Sequence, residues 1–475
     1  MPENTDRAAQ LHALLQERDP HFKQGLPRIL VCSDSVVLPT GLSRVVRGIM
    51  EPLHQTDKYC VIQHAWFHVG GKEKPVSFEL VPVRRAKQDP MHFSDEDKYG
   101  VESFDGLIEI VQPQIVFVVG DYNVYEHIRK SRHRAEFQLM AYLPLDTFPP
   151  AQSWVDCAKD LDQVVYYTDF AAHWGTKAGA PGISIPHGID PNLFQPLDSD
   201  ARTALRTRSF KSDDIFLIGT VGRNQIRKRL DLVIELVAHL RKGAYSRCGH
   251  CQHITPHTYL VPESAFEFDD TLSCEHCRHT EWTAGKAWED VHGYLHVDPD
   301  ENPNIPLKAL IQFWNVSGSV HLNDAIKISY GHGLPDNILA QLYQCMDLYM
   351  HPATGGGWEL PPLEAAASGL PIVAADAPAQ NEWLRKLPGV RLVPGEVQWD
   401  NSCAGYRVYA NIAGFIEHVL PLLEDREAAK AAGERNQEAA QEYDWAKIAM
   451  QWEAAFDQLL DPDNQVPGWT ILREV

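Results

Sequence analysis

The chain has 475 residues, of which 44% are hydrophobic and 23% are charged, and its formal net charge is −21. This composition is typical of a soluble globular protein, and the length predicts two to four domains. The acidic surface disfavours nucleic acid and anionic membranes as partners, unless a local basic cleft overrides it. The longest apolar runs, such as Ile115–Gly120, are much shorter than the ~20 residues of a membrane helix. The N-terminus lacks a basic start followed by an apolar core, so we expect no signal peptide and a cytoplasmic location.

Predicted strands and helices alternate in the first part of the chain. The first helix follows a Gly turn and has apolar residues at helical spacing, among them Leu42, Val45 and Ile49. Apolar runs bounded by turns are typical of parallel strands covered on both faces. The predicted strands, in order, lie in RILVCSD, YCVIQHAWF, IVFVVGD, FQLMAYLPLD, QVVYYTDFAAHW and GISIPHGID.

A second series of strands and helices begins after a polar link at residues 192–211. Its predicted strands lie in DIFLIGTVGR, VHGYLHVD, SVHLNDAIKISYG, DLYMHP and PIVAAD, and an amphipathic helix is predicted at Tyr443–Leu460. Two βα series of similar size predict an α/β protein with two doubly wound, Rossmann-like domains. Ligands of such domains usually bind in the cleft between them.

Four motifs in sequence order carry a resemblance to a known family. They are PTGLSRVV, ISIPHGIDPNLFQPL, TVGRNQIRKRLDLVIEL and PPLEAAASGLPIVA. With them the chain resembles a GT-B fold glycosyltransferase of family 4, the retaining group that uses nucleotide-sugars. The resemblance implies an acceptor domain at residues 1–205, a nucleotide-sugar-binding domain at 206–440, and a C-terminal segment at 441–475 that crosses back to the first domain.

The resemblance implies that Arg223 and Lys228 hold the diphosphate of the donor. Arg can bind phosphate oxygens in a fork and Lys as a point charge, and both stabilise the negative charge that grows as the diphosphate leaves. The alternative is that both are solvated charges at the start of a helix. Gly41 would let backbone N–H groups approach phosphate at the next helix N-terminus, although an ordinary tight turn also explains it.

Two carboxylates lie in the glycine-rich stretch of the fourth motif. Glu364 matches the second Glu of the family's E-x7-E pattern, which accepts hydrogen bonds from the ribose hydroxyls. The first Glu of the pattern is missing, because position 356 is Gly, while Glu359 stands where the family usually has Gly. Either Glu359 reaches the donor sugar from a reshaped loop, which we favour, or the donor is recognised differently. The backbone N–H groups around Leu360 would also point at the sugar and phosphate.

The resemblance further implies a reaction that needs no protein nucleophile and no catalytic divalent metal. The family's usual His of the first domain is absent, and Asp146 is the nearest polar candidate to face the cleft. Asp146 can equally cap a turn before Pro149. His187 is predicted to be structural or to line the cleft, and Asp190 to cap a helix.

Two C-x-x-C pairs interrupt the second domain. Cys248 and Cys251 precede Cys274 and Cys277 by 22 intervening residues, which fits one four-thiolate structural zinc site in a zinc ribbon at residues 245–282. A pair of disulfides or free thiols is the alternative. Neighbouring histidines could substitute as ligands, namely His250, His253, His276 and His279.

This insertion is acidic, with two arginines against six carboxylates between Tyr245 and Trp282. Phosphate backbones need cations, so a protein contact, an oligomer contact or a lid over the acceptor is favoured over nucleic-acid binding. We therefore predict a glycosyltransferase whose acceptor is a glycan, a small molecule or, as an alternative, modified DNA. A phosphorylase or epimerase on the same fold would also fit these motifs, as would a non-catalytic binding protein.

Overall fold

The computed structural model describes residues 11–67, 76–83, 97–257, 273–300, 305–323 and 334–461. Within these ranges the first half of the chain forms a parallel sheet in the order β3-β2-β1-β4-β5-β6-β7. Its strands are β1 Arg28–Asp34, β2 Cys60–Trp66, β3 Glu79–Pro82, β4 Ile115–Val119, β5 Gln138–Leu143, β6 Gln163–Tyr166 and β7 Ile183–Ser184.

The second half forms another parallel sheet, in the order β13-β12-β8-β14-β15-β16. Two smaller antiparallel sheets accompany it, β10-β9-β11 and the hairpin β17-β18. The strands are β8 Phe216–Val221, β9 Tyr245–Cys248, β10 Ile254–Pro256, β11 Trp282–Ala284, β12 Val291–His296, β13 Val320–Leu322, β14 Leu348–His351, β15 Ile372–Ala375, β16 Val390–Val393, β17 Gly395–Asp400 and β18 Gly405–Ala410.

Helices cover the faces of the two large sheets. In the described residues of the first half, a helical segment at residues 11–18 precedes α1 Pro20–Gln24, α2 Gly41–His54, α3 Phe104–Val111, α4 Glu126–Arg129, α5 Gln152–Lys159 and α6 Asp169–Lys177. The remaining helices are α7 Ser199–Phe210, α8 Asp231–Lys242, α9 Leu307–Phe313, α10 Asp336–Cys345, α11 Leu360–Ala367, α12 Gln380–Leu384, α13 Ile412–Glu424, α14 Arg426–Ala440 and α15 Trp445–Leu460.

Helix α15 packs on the first sheet although it follows the second one in the chain. The buried ring of Trp452 lies 5.1 Å from Phe117 on β4 and 4.7 Å from Tyr142 on β5, measured between ring centroids. The chain therefore crosses between the two halves twice. The two crossings run side by side, because the Ile189 N–H donates to the Tyr443 carbonyl at 2.7 Å and the Trp445 N–H donates to the Ile189 carbonyl at 3.1 Å.

The predicted α/β class with two Rossmann-like sheets is confirmed, and the predicted strand Arg28–Asp34 has the bounds of β1. The limits at residues 205 and 440 stay predictions. Strand β13 ends at Leu322, and the last part of the predicted strand SVHLNDAIKISYG lies outside the described residues. Strand β3 and the hairpin β17-β18 were not predicted. Across the described ranges, no helix is both long and apolar enough for a membrane span.

Candidate active site

The candidate site lies where the carboxyl ends of the strands of both sheets face each other. Gly41 opens helix α2 on one side, and a Cβ atom placed on it would lie 3.6 Å from Leu360 Cδ1 at the start of α11 on the other. Thr40 caps α2 by accepting from the Ser43 N–H at 3.1 Å. The structure thus brings together Gly41 and Leu360, two predicted donor-binding positions that are 319 residues apart in the sequence.

Arg223 and Lys228 lie in the loop between β8 and α8. The Arg223 side chain is exposed, and its charge acts on Asp34 at the end of β1. Lys228, in contrast, is only 8% exposed. Because Asp34 belongs to the first sheet and Arg223 follows β8 of the second, Arg223 lies on the side of its loop that faces the first half, and its role in diphosphate binding stays a prediction.

Lys228 and its neighbour Arg227 both hold Glu359. Arg227 Nη1 lies 2.9 Å from Glu359 Oε1 and 3.0 Å from the carbonyl of Gly355, and Lys228 Nζ forms an ion pair with Glu359 Oε2. The Glu359 side chain is 8% exposed. The two predicted site residues Lys228 and Glu359 are therefore in direct contact, with Arg227 as a third member that sequence analysis missed.

Burial and the neighbouring charges shift the pKa values of Glu359 and Lys228 in opposite directions. Burial favours the neutral carboxyl, but Lys228 and Arg227 outweigh it and hold the pKa of Glu359 well below its usual range. Burial also lowers the pKa of Lys228 to about 8, although the charge of Glu359 opposes the shift. The carboxylate is therefore ionised at neutral pH, and a buried cation close to its titration range lies beside it.

The Glu359 side chain fills the space beside Gly356. A Cβ atom placed on Gly356 would lie 2.3 Å from both Cγ and Oε1 of Glu359, so the two positions cannot both carry a side chain in this arrangement. Glu359 itself has φ 75° and ψ 94°, in a region that favours glycine. The space next to Gly356 is thus filled by the side chain of Glu359, a non-glycine residue with a positive φ.

Glu364 is buried in an ion pair that joins the two halves. Its Oε2 accepts from the Tyr343 hydroxyl at 2.6 Å, and its Oε1 lies 2.6 Å from Nη1 of Arg44 on α2. Burial raises the pKa of Glu364, although Arg44 and Tyr343 both oppose the shift. The carboxylate predicted to bind ribose faces the first half of the chain, and in this closed arrangement Arg44 and Tyr343 occupy both of its oxygens.

Carboxylates of the first sheet face the cations of the second. Asp121 follows β4, and burial raises its pKa, with the negative charge of Asp146 adding to the shift and Arg227 opposing it. Asp146 follows β5 and pairs with Arg407 of β18, with Oδ2 2.9 Å from Nη2. Asp146 therefore lies at the boundary of the two halves, as predicted for a residue that faces the cleft, but its carboxylate is engaged by Arg407.

His187 lies in the packed wall of the cleft, as predicted for a structural residue. It is 4% exposed, its Nδ1 lies 2.7 Å from the Tyr142 hydroxyl, and burial lowers its pKa to about 3. A neutral imidazole of this kind is a structural residue rather than a proton carrier at neutral pH. Asp190 accepts from the N–H groups of Asn192 and Leu193 at 3.0 and 3.3 Å, so it caps a turn and not the predicted helix.

The four cysteines of the C-x-x-C pairs form a cluster beside the sheet β10-β9-β11. All four Sγ atoms lie within 4.8 Å of one another, at 3.5 Å for Cys248 and Cys277 and 3.6 Å for Cys251 and Cys274. These separations exceed the ~2.05 Å of a disulfide and are close to the ~3.8 Å edge of a tetrahedron built on Zn–S bonds of ~2.3 Å. Two similar turns present the thiols, since Cys248 N–H donates to His253 O and Cys274 N–H to His279 O.

Comparison with known proteins places these features in a family context. Residues 303–425 match the family model for glycosyl transferases group 1. Sucrose-phosphate synthase from Thermosynechococcus elongatus superposes with a TM-score of 0.64 at 15% identity, over 91% of this chain and 99% of that one. The chain has a GT-B fold, and residues 303–425 resemble the glycosyl transferases of group 1.

Two further relatives accompany this match. HepE of Anabaena, solved in complex with UDP-glucose, superposes on this chain with a TM-score of 0.63 at 16% identity, and the superposition covers 90% of this chain and 99% of HepE. The MMP alpha-(1→4)-mannosyltransferase of Mycolicibacterium hassiacum is 28% identical over 159 residues, which are 33% of this chain and 34% of the relative. The aligned region thus spans about a third of the mannosyltransferase.

Proposed function

We propose that the protein is a retaining glycosyltransferase that moves a sugar from a nucleoside-diphosphate sugar to an acceptor. The observation that carries this proposal is the cluster of Arg223, Arg227 and Lys228 at the carboxyl end of β8, facing the other half of the chain. Such fixed cations at a cleft stabilise a departing diphosphate. The GT-B fold and the group 1 match at residues 303–425 support the same reaction class.

In this proposal Glu359 performs the role of the missing carboxylate at position 356. Its side chain fills the space beside Gly356, and it is ionised by its contacts with Arg227 and Lys228. A carboxylate at this place accepts hydrogen bonds from hydroxyls of the donor sugar, and Lys228 holds the phosphate oxygens beside it. When the donor binds, Lys228 exchanges part of its contact with Glu359 for phosphate.

Ribose recognition by Glu364 requires the two halves to separate. Arg44 belongs to α2 and Glu364 to α11, so opening of the cleft removes Arg44 and frees Oε1 for a hydroxyl. Other contacts join the same two halves, namely Arg47 with Asp336, Asp146 with Arg407, and the Glu382 carboxylate with the N–H groups of Asp169 and Phe170. The proposed cycle opens these contacts for donor entry and closes them to exclude water from the reaction.

A nucleotide panel tests the proposed donor. The panel consists of UDP-, GDP- and ADP-linked sugars, and we expect at least one of them to raise the melting temperature of the protein. A ligand that binds only the folded state stabilises that state by ~2.7 kcal/mol when its concentration is 100 times its dissociation constant. On long incubation with the donor that binds, we also expect slow hydrolysis of that donor, which releases its nucleoside diphosphate. A flat melting temperature and no release across the panel would overturn the proposed function.

Retention of the anomeric configuration is tested by analysing the linkage in the product. With an α-linked donor, the proton NMR coupling of the new anomeric centre should be that of an α-linkage. A β-linked product would show inversion and contradict this part of the proposal, while leaving sugar transfer itself in place.

Donor affinity should depend on pH through Lys228. The pKa of about 8 in the free protein means that Lys228 loses its proton above pH 8, whereas a bound diphosphate keeps the lysine charged. The affinity for UDP should therefore fall by only ~2-fold from pH 7 to 8 and then by up to ~10-fold per pH unit above 8. Lys228→Arg is the control, because its guanidinium stays charged and should give a flat profile over this range. A flat profile in the unmodified protein would contradict the assignment.

We also propose that Cys248, Cys251, Cys274 and Cys277 bind one structural zinc ion. Four thiolates leave no open position for catalysis, so the ion would stabilise the inserted sheet β10-β9-β11. Metal analysis of freshly purified protein should find about one zinc per chain. Cys251→Ser should reduce the zinc content, and Cys403→Ser, which alters a thiol outside the cluster, should not. Protein that is free of metal, or that contains two disulfides in this segment, would refute the site.

A further inference from the structure

Five aromatic side chains form a continuous surface at the rim of the candidate site. Phe148 stacks on Trp174 with ring centroids 5.6 Å apart, and Tyr406 lies 5.9 Å from Phe148. Trp399 lies edge-on to Tyr406 at 5.2 Å, and Phe170 lies 6.1 Å from Phe148. Trp399 and Tyr406 are 50% and 39% exposed. We refer to these five residues as the aromatic platform.

The platform is continuous with the cleft and joins both halves of the chain. Phe148 lies two residues after Asp146, and its backbone pairs with Tyr406, whose N–H donates to the Phe148 carbonyl at 3.0 Å. Beneath the rings, Arg407 lies 2.9 Å from the Asp146 carboxylate and 3.7 Å from the Asp400 carboxylate. The hairpin β17-β18 is thereby fixed to the loop that lines the proposed reaction site.

Polar groups surround the exposed rings. Trp399 Nε1 donates to the Asn401 side chain at 2.9 Å, and Asp400 accepts from the N–H and hydroxyl of Ser402 at 2.8 and 2.6 Å. Glu396 and Gln398 are exposed on the same strand as Trp399, but they alternate with it and lie on the other face of the hairpin. An exposed ring with the Asn401 amide at its edge matches a sugar, which presents C–H groups on its faces and hydroxyls at its edges.

We propose that the aromatic platform binds the saccharide part of the acceptor. A polyanion is a poor occupant, because the hairpin contributes Glu396 and Asp400 while the charge of Arg407 is already neutralised by Asp146 and Asp400. The platform begins at the loop after β5, so a bound saccharide would extend directly from it into the cleft. This inference rests on the proposed function and adds to it a substrate class for the acceptor side.

Saccharide binding can be measured without a donor. The probes are maltotriose, mannotriose, cellotriose and chitotriose, titrated into the full chain and followed by saturation-transfer NMR. At least one trisaccharide should bind, and Trp399→Ala should raise its dissociation constant by ~10-fold or more, because it removes the exposed ring on which the sugar face would pack. Tyr406→Ala should act in the same direction.

Phe313→Ala is the matched control, because Phe313 is an aromatic residue of α9 that is 69% exposed and outside the platform. It should leave the dissociation constant unchanged, and melting temperatures should confirm that all variants fold. Failure of every trisaccharide to bind, or equal binding by Trp399→Ala, would overturn the proposal. Binding of a DNA oligonucleotide that Trp399→Ala abolishes, without saccharide binding, would also overturn it. A saccharide that binds while no nucleotide does would preserve the platform and refute only the proposed function.

Discussion

Lys228→Met should destabilise the protein by ~1–3 kcal/mol and abolish UDP binding, and a second change, Glu359→Gln, should recover part of the stability but not the UDP binding. The single change leaves the buried Glu359 carboxylate with Arg227 as its remaining ion-pair partner. Because Arg227 still neutralises Glu359, the cost is smaller than the ~3–5 kcal/mol of a buried charge that is left without a partner. The free energy of unfolding from urea titration measures the first effect.

Calorimetric titration with UDP measures the second effect and separates two roles of Lys228. If the lysine holds phosphate, the double variant Lys228→Met/Glu359→Gln folds normally but does not bind UDP, and transfer falls by ~10²–10³-fold or more. Arg223→Ala serves as a comparison, because Arg223 is exposed and its loss should reduce affinity with little change in stability. Recovery of UDP affinity in the double variant would show that Lys228 is only the counterion of Glu359.

Exchanging the residues at positions 356 and 359 should preserve transfer when either single change abolishes it. Glu359→Gly removes the carboxylate, and Gly356→Glu adds a side chain whose Cβ would lie 2.3 Å from Glu359. In the combined variant Gly356→Glu/Glu359→Gly, the new side chain enters the space that the Glu359 side chain leaves, and the residue with φ 75° becomes glycine, which relieves ~1–3 kcal/mol of backbone strain. Initial rates of transfer at saturating donor measure the rescue.

Gly356→Ala/Glu359→Gly is the control for this exchange. It has the same backbone freedom at position 359 and no steric conflict at 356, but it lacks the carboxylate, so its rate should match that of Glu359→Gly. Equal rates in the control and in the exchanged variant would show that the carboxylate at this place does not contribute to the reaction.

The fold was predictable from local patterns because the parallel strands are buried on both faces. Strand β1 contains the apolar run at residues 29–32, and all four of these residues are buried in the structure. The hairpin β17-β18 was missed for the opposite reason. Its strand Gly395–Asp400 alternates polar and apolar residues only through Val397 and Trp399, and both are exposed, so the strand has no buried face.

The candidate site was predictable in part. The family resemblance pointed to Arg223, Lys228 and Glu364 as candidates and left Glu359 as the favoured of two alternatives, while Arg227 of the same motif was overlooked. The partners of Glu364 were not predictable, because Arg44 and Tyr343 are distant in sequence and only packing of the two halves brings them together. The contact between Glu359 and Lys228 likewise depends on the positive φ of a non-glycine residue, which no local pattern predicts.

The two neighbouring chain crossings at Ile189 and Tyr443 restrict how the halves can separate. Since hydrogen bonds tie these crossings together, rotation about a single axis near them is the simplest opening, and the widest gap would form on the side away from that axis. Trp445 lies immediately beside this pivot, in the space where a Cβ on Gly48 or Gly188 would fall, 2.2 and 2.5 Å away. A bulkier residue at Gly48 or Gly188 would displace the indole and change the resting angle of the hinge.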